Sequence, residues 1–275
     1  MKIAIQGQPA SYHDQAARKF FGDDIKLVSC HNFRETFSTL QSDQADSMVI
    51  ALENSLYGTI NEVYDLLLKS KFWIVGEVYL RVKFCLVALP GANIKDIKEV
   101  HSHAVALGEC EEFLDTTLSH VVRFEEDDTA GSAALVAKRG DIHVAAIASE
   151  EAAKLHGLVI LAENVETHQE NYTRFAVLAP KKVTTENANK TSLVLTTKAD
   201  TKPGALFHAL QVFADRSINI TMLQSRPILG KAWHYLFYFD VEVGNENPIF
   251  NEIVHELNDA GWHTTILGSY IKTKA

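Results

Sequence analysis

The run "FWIVGEVYLRVKFCLVAL" occupies residues 72–89 and is the longest apolar stretch of the chain. Strands in globular proteins are typically about five or six residues long, so a single strand does not account for this run. Glu77, Arg81 and Lys83 lie within it, and a membrane span would rarely carry three charges. The run therefore predicts a crossover, in which the chain passes from one half of the sheet to the other.

Strand-like and helix-like segments alternate on both sides of this run, throughout residues 1–180. Strands that are separated by helical segments of about ten residues are typical of βαβ units and of a mostly parallel α/β sheet. Residues 159–180 form a second extended segment, which predicts a second crossover. Two lobes joined by two crossovers enclose a cleft, so residues 1–180 are predicted to form one two-lobed domain.

The pattern changes after residues 181–190, which are polar throughout and are predicted to form a linker. Residues 191–275 follow the order strand, helix, strand, strand, helix, strand. This βαββαβ order is the split βαβ, or ferredoxin-like, arrangement. The fold class predicted for the chain is therefore α/β, with a two-lobed first domain and a smaller second domain.

The composition of the chain limits which binding partners and which cellular compartment are expected. A net charge of −9 repels phosphate backbones and anionic membrane surfaces, so neither nucleic acid nor a membrane is an expected partner. The first residues, "MKIAIQGQPA", lack the long apolar region and the cleavage site of a secretion signal. Cys30, Cys85 and Cys110 form neither a CxxC pair nor an even set, which favours a reducing cytoplasmic compartment.

No motif for a bound cofactor occurs in the sequence. The chain has no GxGxxG and no GxxxxGK stretch, so dinucleotide and P-loop sites are not expected. His101 and His103 have a spacing that can chelate a metal on a strand, but no third ligand accompanies them. The sequence therefore predicts neither a metal site nor an organic cofactor.

Small polar loops follow four predicted strands and open helices, at residues 6–12, 53–59, 102–103 and 128–132. In open α/β sheets, ligands bind beyond the carboxyl ends of strands, where free helix N–H groups can hold a carboxylate. Thr173 and Arg174 start a further apolar strand in the stretch "ENYTRFAVLAP". Helix capping alone explains any one of these loops. Their combination predicts a site for a small anion.

Six short motifs are distributed along nearly the whole chain. They are "ENS" with "GT" at 53–59, "IVGEV" at 74–78, "DTAGSA" at 128–133, "TRF" at 173–175, "KPGAL" at 202–206 and "SRP" at 225–227. In this order and spacing they resemble the prephenate dehydratases that carry a C-terminal regulatory ACT domain. The resemblance implies a first domain like the type 2 periplasmic binding proteins, with the substrate in its cleft, and an ACT domain over residues 191–275.

The resemblance also implies a reaction. Prephenate dehydratases are lyases that remove water and carbon dioxide from prephenate to give phenylpyruvate in phenylalanine biosynthesis, without a metal or organic cofactor. Formation of the aromatic ring drives the reaction, and one positioned proton donor typically contributes about 10²–10⁴ in rate. Two alternatives stay open: an arogenate dehydratase, which acts on the aminated analogue, and a catalytically weak amino-acid sensor.

Site residues follow from the same resemblance. Thr173 would assist the departing hydroxyl, and Arg174 would either meet a substrate carboxylate or fix its loop. Asn54 and Ser55 would supply neutral donors, whereas Glu53 is either part of the site or structural, since an acid beside a dianion costs energy unless it is paired. The residues implied to bind substrate are Glu53, Thr59, Ser102, Thr129, Ala130, Gly131, Ser132 and Phe175.

The chain departs from the family pattern at several positions. Val105 stands where the family has the glutamine of an "SHPQ" motif, and Phe84 stands where a histidine is common. The stretch "PASYH" ends in His13 where the family commonly has "PGAYS". Gln224 replaces the glutamate of a regulatory "ESRP". The differences near the cleft bear on the identity of the substrate rather than on the fold.

The ACT resemblance implies regulation by an amino acid. Phenylalanine, the end product of the pathway, is the expected effector, and ACT domains pair, so a homodimer or homotetramer is expected. The turn "KPGAL" opens a helix whose free N–H groups suit a carboxylate. The residues expected to contact the effector are Gly204, Ala205, Leu206, Asn219, Leu223, Gln224, Ser225 and Arg226.

Overall fold

The computed structural model describes every residue except 198–202, 229, 232 and 275, so Lys202 of the "KPGAL" turn and the last residue of the predicted ACT domain lie outside the described residues. The strands are β1 (Lys2–Gln6), β2 (Lys26–Cys30), β3 (Ser47–Asn54), β4 (Gly58–Thr59), β5 (Trp73–Arg81), β6 (Cys85–Ala88), β7 (Glu99–His103), β8 (Val122–Glu126), β9 (Val144–Ala148), β10 (Val159–Glu163), β11 (Tyr172–Ala179), β12 (Lys190–Thr197), β13 (Ile220–Pro227), β14 (Tyr235–Val241) and β15 (Trp262–Tyr270). The α-helices are α1 (Tyr12–Phe21), α2 (Phe33–Gln41), α3 (Asn61–Lys69), α4 (Ala104–Glu109), α5 (Glu111–Thr117), α6 (Thr129–Arg139), α7 (Glu150–Leu155), α8 (Ala205–Ala214) and α9 (Pro248–Asp259).

The chain divides into two compact units. The first contains Met1–Val63 and Val78–Phe175, and the second contains Tyr64–Glu77 and residues 176–274. The chain passes from one unit to the other within α3, β5 and β11. The run of residues 72–89 therefore contains two strands, β5 and β6, which belong to different sheets.

The first lobe of the first unit contains the strand order β2-β1-β3-β11. Strand β1 pairs in parallel with both β2 and β3, while the short β4 folds back antiparallel on the end of β3. Helices α1 and α2 pack against β1 and β3. Ile3, Ala4 and Ile5 on successive positions of β1 are all fully buried, as expected for a parallel strand that is covered on both faces.

The second lobe is a five-stranded sheet with the order β10-β6-β9-β7-β8. Strands β7, β8 and β9 are parallel, but β6 and β10 pair antiparallel with their neighbours. Because β6 lies between β9 and β10 and is antiparallel to both, β10 runs in the same direction as β7, β8 and β9. The predicted mostly parallel sheet is therefore found in this lobe except at β6, which enters the sheet from the crossover at residues 72–89 and runs in the opposite direction.

Alternating side chains of the second sheet form two cores. Leu86 and Ile147 face the core that α4 and α5 complete, and Val87 and Ala146 face the core that α6 and α7 complete. This alternation follows from the two-residue period of a strand. Helices cover both faces, so the carboxyl ends of β7 and β8 open toward the start of α4 and α6.

The second unit confirms the predicted βαββαβ arrangement. Strands β12 to β15 form the antiparallel order β13-β14-β12-β15, with α8 and α9 packed on one apolar core. Strand β15 also pairs in parallel with β5, where Gly268 lies opposite Ile74. A Cβ atom on Gly268 would lie 2.2 Å from the carbonyl oxygen of Ile74, so this close backbone approach requires glycine.

A buried ion cluster lies within the second unit. The Lys190 Nζ atom is 2.7 Å from Glu77 Oε2 and 3.7 Å from Asp240 Oδ2. The three side chains are only 2%, 0% and 1% exposed. A buried charge is tolerated when it is paired, so the lysine is what allows two carboxylates to stay inside this sheet.

Candidate active site

A cavity of about 270 Å³ lies between the two lobes of the first unit. The lining comes from the loop after β1, the start of α1, the end of β3, the start of β11, the crossover at residues 82–84, and the starts of α4 and α6. Four of the residues predicted from the sequence line it: Asn54, Thr129, Thr173 and Phe175. The cleft between two lobes is thus a real cavity that the strand ends and helix starts enclose.

Asn54 positions the hydroxyl of Thr173. The Asn54 side-chain oxygen accepts hydrogen bonds from the backbone N–H groups of Leu56 and Tyr57, at 2.8 and 3.0 Å. These two donors fix the orientation of the amide, so its nitrogen is the atom that faces Asn171 Oδ1 at 2.7 Å and Thr173 Oγ1 at 3.2 Å. The Thr173 oxygen therefore accepts from Asn54, and its own proton can be donated to a molecule in the cavity.

Arg174 does not line the cavity. Neighbouring side chains of a strand point to opposite faces, and in β11 it is Thr173 and Phe175 that reach the cavity. Arg174 is buried, with its Nη1 atom 4.0 Å from Glu53 Oε2 at the end of β3. This placement fits the second of the two roles considered for Arg174, in which it fixes the loop.

We expect Arg174→Gln to lower the free energy of unfolding by about 2–3 kcal/mol, because a buried charged hydrogen-bonding group is lost. The activity of each folded molecule should change little. Urea unfolding measures the first quantity. Arg34→Gln is a matched control, since Arg34 pairs with Glu62 while 77% exposed and should cost about 1 kcal/mol or less. Unchanged stability together with weakened substrate binding would instead make Arg174 a carboxylate partner.

Three predicted hydroxyl groups are hydrogen-bonded to the backbone and do not line the cavity. Ser55 Oγ donates to the Glu170 carbonyl at 3.1 Å and accepts from the N–H of Tyr172 at 2.9 Å. Ser102 Oγ donates to the Ile147 carbonyl at 2.7 Å. The hydroxyl of Ser132 donates in the same way to the carbonyl that precedes its helix, at 2.8 Å. These groups hold the walls of the site together.

The other predicted residues also lie beside the cavity rather than in its lining. Glu53 and Thr59 pair across β3 and β4. Ala130 packs in the core of the second lobe. Gly131 lines a neighbouring cavity of about 380 Å³, and its N–H donates to the N-cap carboxylate of Asp128 at 2.7 Å.

Three positions that depart from the family pattern line the cavity: His13, Phe84 and Val105. The Nε2 atom of His13 accepts a hydrogen bond from the backbone N–H of Ala51 at 3.1 Å, and its ring meets Phe175 edge-on at 5.1 Å between centroids. Burial lowers the pKa of His13 to about 4. The imidazole is therefore neutral at pH 7 and contributes no positive charge to the site.

The buried His13 makes stability depend on pH. The pKa of His13 in the folded protein is about 4, below the ordinary value of 6.5, so its contribution to stability is fully present above pH 6.5 and is lost as the pH falls toward 4. We expect wild type to lose about 3 kcal/mol more than His13→Gln between about pH 7 and pH 4. Urea unfolding across this range measures the difference. If the free energy of unfolding changed with pH in the same way in both proteins, the lowered pKa of His13 would be contradicted.

Glu109, at the end of α4, is a cavity residue that the sequence analysis missed. Its side chain is 7% exposed, and burial raises its pKa to about 7, while the nearby Asn171 side chain partly offsets the rise. One signal was present in the sequence. Ala106, Leu107 and Cys110 mark the buried face of the segment, and Glu109 lies three residues after Ala106 on that face.

His101 and His103, whose spacing in the sequence could chelate a metal, make separate contacts. His101 is buried, with Nδ1 2.8 Å from Glu126 Oε1. His103 precedes α4, and its Nδ1 accepts from the N–H of Val105 at 3.3 Å. Among the described residues, no group of three or more His, Cys, Asp or Glu side chains could hold a metal ion.

None of the described helices has both the length and the apolar character that a membrane span requires.

The predicted effector residues lie in two segments of the second unit that contact one apolar core. Gly204 precedes α8 with a φ of +86°, and no side chain caps this helix start. Ala205 and Leu206 pack against that core, and so do Ile218 and Ile220, the residues next to Asn219 in the chain. The described part of the "KPGAL" turn therefore has the left-handed conformation that favours glycine.

Strand β13 carries the remaining effector positions. Leu223 is 42% exposed. Gln224 Nε2 donates to the carbonyl of Ser225 at 2.9 Å. Arg226 makes a two-pronged contact with Asp65, whose carboxylate oxygens lie 3.3 and 2.7 Å from Nε and Nη2. Arg226 is thus held by an internal partner.

Two family profiles match the sequence. The profile described as "Prephenate dehydratase" matches residues 3–183, and that described as "ACT domain" matches residues 193–258. The chain is 38% identical over 281 residues to "Arogenate dehydratase/prephenate dehydratase 2, chloroplastic" of Arabidopsis thaliana, covering 98% of this chain and 72% of that protein. It is 34% identical over 272 residues to the "Bifunctional chorismate mutase/prephenate dehydratase" of Aquifex aeolicus, covering 99% and 74%.

Solved structures share the fold over the whole chain. A prephenate dehydratase from Arthrobacter aurescens in complex with L-Phe has a TM-score of 0.88 at 27% identity, covering 99% of this chain and 90% of that one. A chain described as "GqqA- a novel type of quorum quenching acylases" has a TM-score of 0.87 at 32% identity, covering 99% and 98%. The same fold is therefore described with two different activities.

Proposed function

We propose that this chain, which belongs to the prephenate dehydratase family, catalyses the decarboxylating dehydration of prephenate to phenylpyruvate in phenylalanine biosynthesis. The observation that carries the proposal is the pairing of Asn54 with Thr173 inside the interlobe cavity. In this pairing the Thr173 proton is left for the molecule in the cavity, where it can assist a departing hydroxyl.

The chemistry needs one bond broken at each end of the substrate ring. The ring carboxylate leaves as carbon dioxide, its electrons move through the ring, and the C4 hydroxyl departs with the electron pair of its C–O bond as hydroxide, which takes one proton from the solvent to become water. Thr173 donates its hydrogen bond to that departing oxygen, and Asn54 holds the Thr173 oxygen in place. Donor groups that are already oriented stabilise developing negative charge without reorganisation at the moment of reaction.

Acylase activity is a less suitable alternative for this cavity. Acyl transfer by a hydroxyl nucleophile needs an adjacent base within hydrogen-bond reach. His13 lines the cavity, but its Nε2 accepts from the Ala51 N–H and not from a hydroxyl. Ser11, which also lines the cavity, accepts at its Oγ from the Asp14 N–H at 3.3 Å as the cap of α1. His13 and Ser11 therefore do not have the arrangement of a base and the nucleophile that it activates.

The proposal is tested by turnover of prephenate and arogenate side by side with purified protein, with products identified by mass spectrometry. Formation of phenylpyruvate from prephenate is the expected result. Turnover of arogenate alone would make the chain an arogenate dehydratase. Tight binding of either compound without turnover would instead make it an amino-acid sensor.

Regulation by phenylalanine at the second unit belongs to the same proposal, and the L-Phe complex of a relative supports it. Phenylalanine inhibits by favouring one arrangement of subunits, with a coupling of typically about 1–3 kcal/mol. Calorimetric titration of the full chain tests this, with Leu223→Ala expected to weaken binding. Ile249→Ala is the control, since Ile249 is similarly exposed at the start of α9. Equal binding by both variants would remove Leu223 from the effector site.

The remaining predictions about organisation are part of this proposal. We propose a first domain over residues 1–180, a linker at 181–190 and an ACT domain at 191–275. The proposed location of the chain is cytoplasmic. A homodimer or homotetramer is supported by exposed apolar side chains of the second unit, including Phe207 at 64% and Tyr235 at 42%. Light scattering on purified protein measures the assembly, and a monomer would contradict it.

A further inference from the structure

Asn171 is a fully buried residue that comes directly before β11. Successive residues of an extended segment point to opposite faces, so Asn171 and Thr173 share one face. Both meet the same atom, because Asn54 Nδ2 is 2.7 Å from Asn171 Oδ1 and 3.2 Å from Thr173 Oγ1. Asn171 itself does not line the interlobe cavity. Its side chain therefore acts on a molecule in the cavity through a neighbour, and Asn54 is the neighbour to which its oxygen is hydrogen-bonded.

The Asn54 amide is held at both of its ends. The backbone N–H groups of Leu56 and Tyr57 meet its oxygen, and they decide which end of the amide is the nitrogen. That nitrogen carries two hydrogens, which lie in the amide plane and point in different directions. The contact with Asn171 is the shorter of the two that it makes, so it constrains the rotation of the amide more strongly. Asn171 thus sets the direction of the hydrogen that reaches Thr173.

The backbone around Asn171 is anchored on two sides. Its carbonyl accepts a hydrogen bond from the N–H of Val82, in the crossover between the lobes, at 2.7 Å. The next residue, Tyr172, accepts at its carbonyl from the N–H of Ser55 at 2.8 Å and donates its own N–H to Ser55 Oγ at 2.9 Å. The oxygen that Asn54 meets therefore has a fixed position, as is required of a group that orients another side chain.

The two ends of the Asn171 side chain differ in their contacts. Its nitrogen has no hydrogen-bond partner in the part of the chain that the structure describes, although this atom is buried. A buried donor that is left unpaired lowers the stability of the folded state, and such a group calls for an explanation. The oxygen makes the one side-chain hydrogen bond, and it makes it to the amide that holds Thr173. This combination favours a functional task for Asn171 over a stabilising one.

We propose that Asn171 is a positioning residue that acts through Asn54 on the hydroxyl of Thr173, an inference that rests on the proposed dehydratase function. With the Asn171 oxygen in place, the Asn54 nitrogen donates to Thr173 from a fixed direction, and the Thr173 proton points to the departing hydroxyl. Without that oxygen, the Asn54 amide turns away from this orientation, and the Thr173 proton is aimed at the substrate for less of the time. Misalignment of a reacting group slows the chemical step and leaves substrate binding largely unchanged.

The test is a double-mutant cycle on kcat, with whichever of prephenate and arogenate the wild type converts. Asn171→Leu keeps the volume of the side chain and removes the oxygen, so kcat should fall about tenfold while KM changes less than about twofold. In an Asn54→Ala background the same change should cause no further fall, because Asn171 then has no amide to orient. If Asn171→Leu does not fold, Asn171→Ala takes its place in both backgrounds. Equal falls of kcat in the two backgrounds overturn the inference.

Two further variants separate orientation from stability. Asn171→Asp keeps an oxygen at the place of Oδ1 and should keep kcat within about threefold, even though a buried acid lowers the melting temperature. Thr36→Val removes a hydrogen bond of 3.0 Å from a buried hydroxyl in α2 to the Asn32 carbonyl, and it should lower the melting temperature without lowering kcat. Equal losses of kcat in Asn171→Leu and Asn171→Asp also overturn the inference. Failure of wild type to convert either compound overturns the proposed function itself.

Discussion

Replacing Thr173 by alanine is expected to lower kcat about 10²-fold or more. The alanine side chain cannot donate a hydrogen bond to the departing hydroxyl, whereas the rest of the cavity is unchanged. Stability should stay near that of wild type, because the Asn54 amide keeps its other acceptor on Asn171 at 2.7 Å. Steady-state kinetics and thermal melting measure the two quantities.

Thr173→Ser is the matched control, because it keeps the hydroxyl and removes only a methyl group. We expect it to retain most of the activity. Normal turnover by Thr173→Ala would remove Thr173 from the mechanism. Equal losses in the alanine and serine variants would show that the methyl group and its packing matter, rather than the hydroxyl.

Replacing Lys190 by methionine is expected to lower the free energy of unfolding by about 3–5 kcal/mol. The change leaves Glu77 and Asp240 buried without the cation that lies 2.7 and 3.7 Å from them. Breaking a buried pair from one side costs more than the pair contributes, since an uncompensated charge is left in a dry interior. Urea unfolding of the purified variant measures the loss.

Lys154→Met provides the comparison. Lys154 pairs with Glu150 at 2.5 Å, but the two side chains are 71% and 53% exposed, so the loss should be about 0.5 kcal/mol or less. If Lys190→Met were no more harmful than Lys154→Met, the buried carboxylates would not depend on the lysine. Other groups of the second unit would then compensate the two charges.

Much of the fold could be predicted from local pattern. The apolar run at 72–89 was too long for one strand, and β5 and β6 occupy it with a break at residues 82–84. The order of β12 to β15 with α8 and α9 followed from the change of periodicity after the linker. Such patterns are encoded residue by residue, because an amphipathic helix and an alternating strand each need a fixed spacing of apolar side chains.

The site was less predictable, because it depends on contacts between distant segments. Asn54 and Asn171 meet across 117 positions of sequence, and no local pattern shows this contact. The direction of a side chain from its strand was also undetermined, so Thr173 and Arg174 could not be separated before their faces were known. Glu109 was missed for a related reason, since a single acid on a helix is usually exposed.

The central claim is that the cavity removes water and carbon dioxide from one ring substrate. It is tested most directly by incubating wild-type protein with prephenate labelled with ¹³C in the ring carboxylate and following the products by NMR. The account predicts that labelled carbon dioxide and phenylpyruvate appear in equal amounts in wild type, and about 10²-fold more slowly with Thr173→Ala. Release of neither product beyond the uncatalysed rate, in folded protein that also fails to convert arogenate, would contradict it.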